Sequence, residues 1–183
     1  MKDSFANKYW KEFELLSLEY IRDQYKDSTV KCIHTSYVND GGYDGSLSLT
    51  LTKSNAPFVH EVINLIEAKL RTNSNINIHD FAASIIAAYN FSAHILYVIS
   101  NTNFTEETKK ITKLFSDKTN LQIVLIDGKH LLVWLQKKYL LNNNQFYKDL
   151  AASIETNITA ERESNICPKA KEKKTKLLPE IFS

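Results

Sequence analysis

Apolar residues change their spacing along this chain in one order, and that order restricts the fold more than composition does. Over residues 4–25, Phe5, Tyr9, Trp10, Phe13, Leu16, Tyr20 and Ile21 recur at helical intervals. Three β-prone runs follow, over 29–35, 45–52 and 59–70. The second alternates strictly, with Leu47, Leu49 and Leu51 on one face and Ser46, Ser48 and Thr50 on the other. The third carries Val62, Ile63, Leu65 and Ile66. Helical and strand periods then alternate. The pattern predicts a helix over 78–89, a strand over 94–100 and a helix capped by Thr105 with Glu106 and Glu107 in its first turn. A strand over 121–126 turns through Asp127-Gly128 into a helix bearing Leu131, Leu132 and Leu135, and a last helix covers 143–154. One helix, three strands and an α-β-α-β-α run predict an α/β/α sandwich with a central mixed β-sheet. An antiparallel hairpin lies on one side and parallel crossovers on the other.

At 183 residues the chain suits one domain, 1–158, followed by a basic polar tail or linker over 159–183 that carries Lys169, Lys171, Lys173, Lys174 and Lys176. A formal net charge of +2 is too small to indicate a nucleic-acid partner by itself. Cys32 and Cys167 have no ligand spacing and read as reduced thiols. No leader-like start and no run near the ~20 apolar residues of a membrane span are present, so a cytoplasmic protein without membrane contact is expected.

Three of the four glycines fall within five residues, in Asn39-Asp40-Gly41-Gly42-Tyr43-Asp44-Gly45. Such a cluster marks a tight turn that presents Asp44. Asp44 and Glu67 are equally distant from the centre of the turn Ser54-Asn55-Ala56-Pro57. If the strands pair through that turn without a bulge, the two carboxylates stand opposite each other, with Cβ atoms roughly 5 Å apart. Lys69, two residues beyond Glu67, points to the same face. Two carboxylates so placed suit a hard divalent cation, and a lysine beside them suits an attacking water or a phosphate charge.

Acidic-x-Lys also occurs at Glu107, Asp127 and Glu172. Glu107 starts a helix and Glu172 lies in the tail. Asp127 follows an apolar strand, but it lacks an acidic hairpin partner and reads as a turn cap. Spacing alone leaves two readings of Asp44, Glu67 and Lys69 open, a metal-dependent nuclease site and a solvated hairpin end. It leaves Glu14 a surface helix residue. The five histidines form no ligand motif.

From Trp10 to Leu135 the chain resembles the Mrr-like restriction endonucleases of the PD-(D/E)xK superfamily. Phe13-Glu14 is similar to the family's first-helix Phe-Glu, Gly41-Gly42-Tyr43-Asp44 to its Gly-Gly-x-Asp, and Glu67-Ala68-Lys69 to its acidic-or-Gln-x-Lys strand. Phe104-Thr105-Glu106-Glu107 resembles its Phe-Thr/Ser-x-Glu helix entry, and Leu125-Ile126-Asp127-Gly128 its closing strand and turn. Many relatives carry Gln where this chain has Glu67. The resemblance implies a restriction-endonuclease-like fold and Mg²⁺-dependent cleavage of DNA, with Mn²⁺ as a substitute. Asp44, Glu67 and Lys69 would be catalytic, and Asp44, Glu67 and Glu14 the metal ligands.

The resemblance also implies restriction or bacterial antiphage defence, with a sensor ATPase or DNA-recognition module fused or associated. Cutting both strands would call for a homo-oligomer. The alternatives are an RNA-cutting variant, or a nuclease-fold module that binds or scaffolds without chemistry.

Overall fold

The computed structural model describes residues 4–25, 29–34, 45–51, 60–139 and 143–166; side chains of Ser4, 29–34, 45–51, 60–62 and 163–166 fall outside that description. Helix α1 (Ser4–Gln24) precedes three strands, β1 (Thr29–His34), β2 (Gly45–Leu51) and β3 (His60–Lys69). Then follow a 3-10 turn (Ile78–Phe81), α2 (Ala82–Asn90), β4 (Ile95–Ser100), α3 (Glu106–Lys118), β5 (Gln122–Ile126), α4 (Gly128–Tyr139) and α5 (Gln145–Ile166).

The five strands lie in chain order across one sheet. β1, β2 and β3 run antiparallel to their neighbours, and β3, β4 and β5 are parallel. This is the expected mixed sheet, with β3 as the seam between its two halves. Parallel neighbours need crossovers, and here α2 and α3 supply them.

Each strand face meets a different helical layer. On one face Ile66 of β3, Tyr97 and Ile99 of β4 and Ile126 of β5 join Phe13, Leu16 and Ile21 of α1, Leu131 and Leu135 of α4, and Leu150 and Ile154 of α5. On the other, Leu65, Leu96, Val98 and Ile123 pack with Phe81, Ala87 and Ala88 of the α2 region and with Phe104. β3 and β4 are buried on both faces, so their sequences read as near-continuous apolar runs rather than alternations. Burying one such Leu or Ile contributes about 1.5–3 kcal/mol.

Two elements differ from the sequence reading. The segment 78–89 divides, because Asn77 caps a separate 3-10 turn. Its side chain accepts from the His79 N–H at 2.9 Å, and Asp80 Oδ2 accepts from the Asn77 N–H at 2.8 Å. Phe81, at φ −139°, then breaks the path before α2. The last helix runs past both residue 154 and the expected start of the tail, to Ile166. Its stripe Phe146, Leu150, Ile154 and Ile158 stays against the core. Thr156 and Thr159 return their hydroxyl protons to the carbonyls of Ala152 and Glu155. Glu161, accepting from Asn103 at 2.5 Å and pairing with Lys129 at 3.3 Å, ties the polar part to the domain.

Gly128 lets α4 start against the segment after β4. A Cβ there would meet the Asn101 carbonyl oxygen at 2.4 Å and Ile154 Cγ2 at 3.1 Å. The backbone oxygen cannot swing away, so Gly128→Ala should destabilise the protein by about 1–3 kcal/mol, read as a lower urea midpoint.

A charged clamp joins α1 to α4. Lys138 Nζ lies 2.7 Å from both Glu19 Oε1 and Asp23 Oδ2, Trp134 Nε1 donates to Asp23 at 3.2 Å, and Tyr139 donates to Glu19 at 2.6 Å. Burial pushes the Glu19 carboxyl up, but hydrogen bonds from Lys138 and Tyr139 outweigh it and leave the group below its ordinary value of 4.5. The Lys138 hydrogen bond, aided by Trp134, holds Asp23 below 3.8. Both carboxyls are depressed on folding. Their contribution is therefore complete above their unfolded values and is lost as pH falls through the lowered ones. Lys138→Ala should accordingly melt below the wild type at pH 6, with the gap closing as the pH drops under 4.

Candidate active site

β2 and β3 pair with Gly45 opposite Ile66, Ser46 opposite Leu65, and so on to Leu51 opposite His60. Every described pair is symmetric about the centre of the turn 54–57, which is the register expected from the sequence. Asp44 itself, with the rest of the glycine cluster through Gly42, lies outside the described residues.

The side chains of β3 alternate, so Ile66 and Ala68 face the α1 layer while Leu65 faces the α2 layer. Glu67 and Lys69 therefore point toward α2. Glu67 is only 4% exposed. A carboxylate so deep needs both charge compensation and hydrogen bonds. Lys69 Nζ pairs with its Oε1, and Ser84 of α2 donates to its Oε2 at 2.7 Å. The Lys69 side chain keeps 24% of its surface exposed, so its ammonium joins a buried carboxylate to solvent. Ala87 and Ala88 bring α2 close enough to the sheet for a side chain as short as serine to span the gap.

The end of β3 is fixed by the segment after β4. Lys69 pairs in register with Ser100. Asn101, fully buried, accepts from the Arg71 N–H at 2.8 Å and donates to the Arg71 carbonyl at 2.6 Å. Thr102 donates to the Ser74 carbonyl at 2.9 Å, and the Ile76 N–H donates to the Asn103 carbonyl at 2.8 Å. The Arg71 guanidinium reaches Asp80 at 3.1 Å, tying the strand exit to the 3-10 turn that leads into α2. The site thus sits at the carboxyl end of the parallel strands, where the sheet changes direction.

Of the residues singled out in the sequence, the structure brings Glu67 and Lys69 together. Glu14 is half-buried on α1, in the layer across the sheet from the Glu67 side chain. Asp127 takes the cap role expected of it, accepting from the His130 N–H at 3.1 Å. Among the described residues no three His, Cys, Asp or Glu side chains group to hold a metal ion. Glu67 nevertheless offers the oxygen chemistry a hard cation takes. Ser84 and Asn101 are the residues sequence reasoning missed. The only signal for Ser84 was a hydroxyl within the apolar run Ala82-Ala83-Ser84-Ile85-Ile86.

Among the described residues no helix is long and apolar enough to cross a membrane. No curated protein matches the chain. Among the solved structures that share its fold are two restriction endonucleases. One is "MspJI Restriction Endonuclease in Complex with 27-mer Oligonucleotide", 19% identical with a TM-score of 0.59, the match covering 85% of this chain and 33% of that one. The other is "DNA modification-dependent restriction endonuclease AspBHI", 15% identical with a TM-score of 0.57, covering 85% and 38%. The chain thus spans between 33% and 38% of their length. The restriction endonuclease family Mrr_cat matches residues 6–135. With its whole five-stranded sheet and both residues of the Glu67–Lys69 pair inside that match, the chain belongs to this restriction endonuclease family.

Proposed function

We propose that this chain is a Mg²⁺-dependent endonuclease domain that hydrolyses DNA phosphodiester bonds, with Asp44, Glu67 and Lys69 as its catalytic residues. The observation that carries the reading is the buried Glu67 carboxylate, held by Lys69 and Ser84 at the end of the central strand. The β2–β3 register supports the rest: continued by one pair beyond Gly45 and Ile66, it would set Asp44 opposite Glu67.

In this reading Asp44 and Glu67 hold the cation, and Glu14 is the further candidate ligand. When bound, the ion supplies Lewis acidity and an activated water. The chain's own residues do the remaining work. Glu67 carries a fixed negative charge in a site from which most water is excluded. Lys69 presents an ammonium to the developing charge on the phosphate, where a preorganised donor is worth far more than in bulk water. Mn²⁺ would substitute for Mg²⁺, since both take oxygen donors.

The first structural relative is named as a complex with an oligonucleotide and the second as a DNA modification-dependent restriction endonuclease, which favours DNA as the substrate. Both are about three times as long as the matched part. We therefore place target recognition in a further module or partner, in the setting of restriction or antiphage defence in the cytoplasm. One site attacks one strand, so double-strand cleavage would need two copies.

Supercoiled plasmid incubated with the protein and Mg²⁺ should be nicked or linearised, and EDTA should stop the reaction. Glu67→Gln and Lys69→Ala should each reduce cleavage by on the order of 100-fold or more while keeping the helical circular-dichroism signal. Undiminished cleavage by either folded variant would sink the assignment. A parallel RNA substrate separates DNA from RNA preference.

A further inference from the structure

Ser84 makes an unusual choice for a helical hydroxyl. Serine and threonine inside helices commonly return their proton to the carbonyl four residues back. Ser17 does so to Phe13 at 2.8 Å, and Thr112 to Thr108 at 2.9 Å. Ser84 instead donates across to another element, to Glu67 Oε2 at 2.7 Å, while being only 2% exposed itself.

Its position is not left to α2 alone. The helix is led in by the 3-10 turn whose Asp80 both closes the Asn77 capping box and pairs with Arg71, two residues past Lys69. The exit of β3 and the entry to α2 are thus clamped to each other. The hydroxyl and the carboxylate are held at a separation the backbone defines. Because Ser84 engages Oε2, the carboxylate plane is fixed and Oε1 is turned toward Lys69.

We infer that Ser84 is a positioning residue for Glu67, setting the orientation in which that carboxylate receives a divalent cation. The inference rests on the metal-dependent reading above and adds a residue that touches neither substrate nor the reacting atoms. Partners that orient a ligating carboxylate are worth 10–100-fold in metal affinity in other sites, which sets the scale expected here.

The test uses the full chain and Mg²⁺ alone as the probe, by titration calorimetry and by the Mg²⁺ dependence of plasmid cleavage. Ser84→Ala should raise the Mg²⁺ concentration for half-maximal cleavage on the order of 10-fold, with a smaller effect on the rate at saturating metal. Ser84→Cys, close in volume but a weak donor, should behave like the alanine variant. Ser84→Thr keeps the hydroxyl and should return the metal requirement toward wild type. A purely structural role would lower stability without separating these variants by donor strength. The inference is overturned if the alanine or cysteine variant, folded by circular dichroism, keeps the wild-type Mg²⁺ requirement while the wild type cleaves. A wild type that shows no Mg²⁺-dependent cleavage would instead overturn the nuclease reading itself, and this inference with it.

Discussion

A carboxylate buried on the central strand is the constraint around which the rest of this domain is arranged. Glu67 sits between two hydrophobic neighbours on a strand covered on both faces, and a carboxylate buried there calls for a cation and a donor beside it. The strand's own alternation supplies the cation, because Lys69 is the next residue on the same face. The helix packed on that face supplies the donor through Ser84. A charge pair this deep is weak support for stability, since apolar residues of the same volume would serve the fold as well or better. Its presence is more economically explained by chemistry at the site.

The sheet's topology gives that pair its surroundings. β3 is the last antiparallel and first parallel strand, so its carboxyl end opens where the chain direction reverses. On the parallel side, Asn101 and Thr102 secure the exit of β3 by bonding its backbone. On the antiparallel side, the β2 register runs toward Asp44. The segment after β3 is itself pinned. The Arg71–Asp80 pair and the Asn77 capping box turn the segment after β3 into a brace between strand and helix. Preorganisation of this kind lets a site act on a substrate without first ordering itself.

Much of this was legible in the sequence, for identifiable reasons. The β2–β3 register could be read because the turn 54–57 has a defined centre and the side-chain period of a strand is two. Glu67 and Lys69 share a face by the same rule. Thr105 and Asp127 were recognised as caps because capping depends on local chemistry alone. The length of α5 was not legible: Thr156, Asn157 and Thr159 have poor helix propensity, and tertiary contacts from Ile158 and Glu161 help carry the helix through them. Ser84 was not legible either. A serine among alanines and isoleucines fits any helix, and its partner lies seventeen residues away on another element. Glu14 could be matched to a motif, but no periodicity reveals on which face of the sheet its helix packs.

The central claim is that Glu67 is one half of a metal site whose other half is Asp44. A crystal structure of the protein grown with Mn²⁺ tests it most directly, because anomalous scattering locates the ion independently of the protein. The account predicts one ion bonded to carboxylate oxygens of both Asp44 and Glu67, with Ser84 still donating to Glu67. An ordered Asp44 with no ion between the two carboxylates, at a Mn²⁺ concentration that supports cleavage, would contradict it.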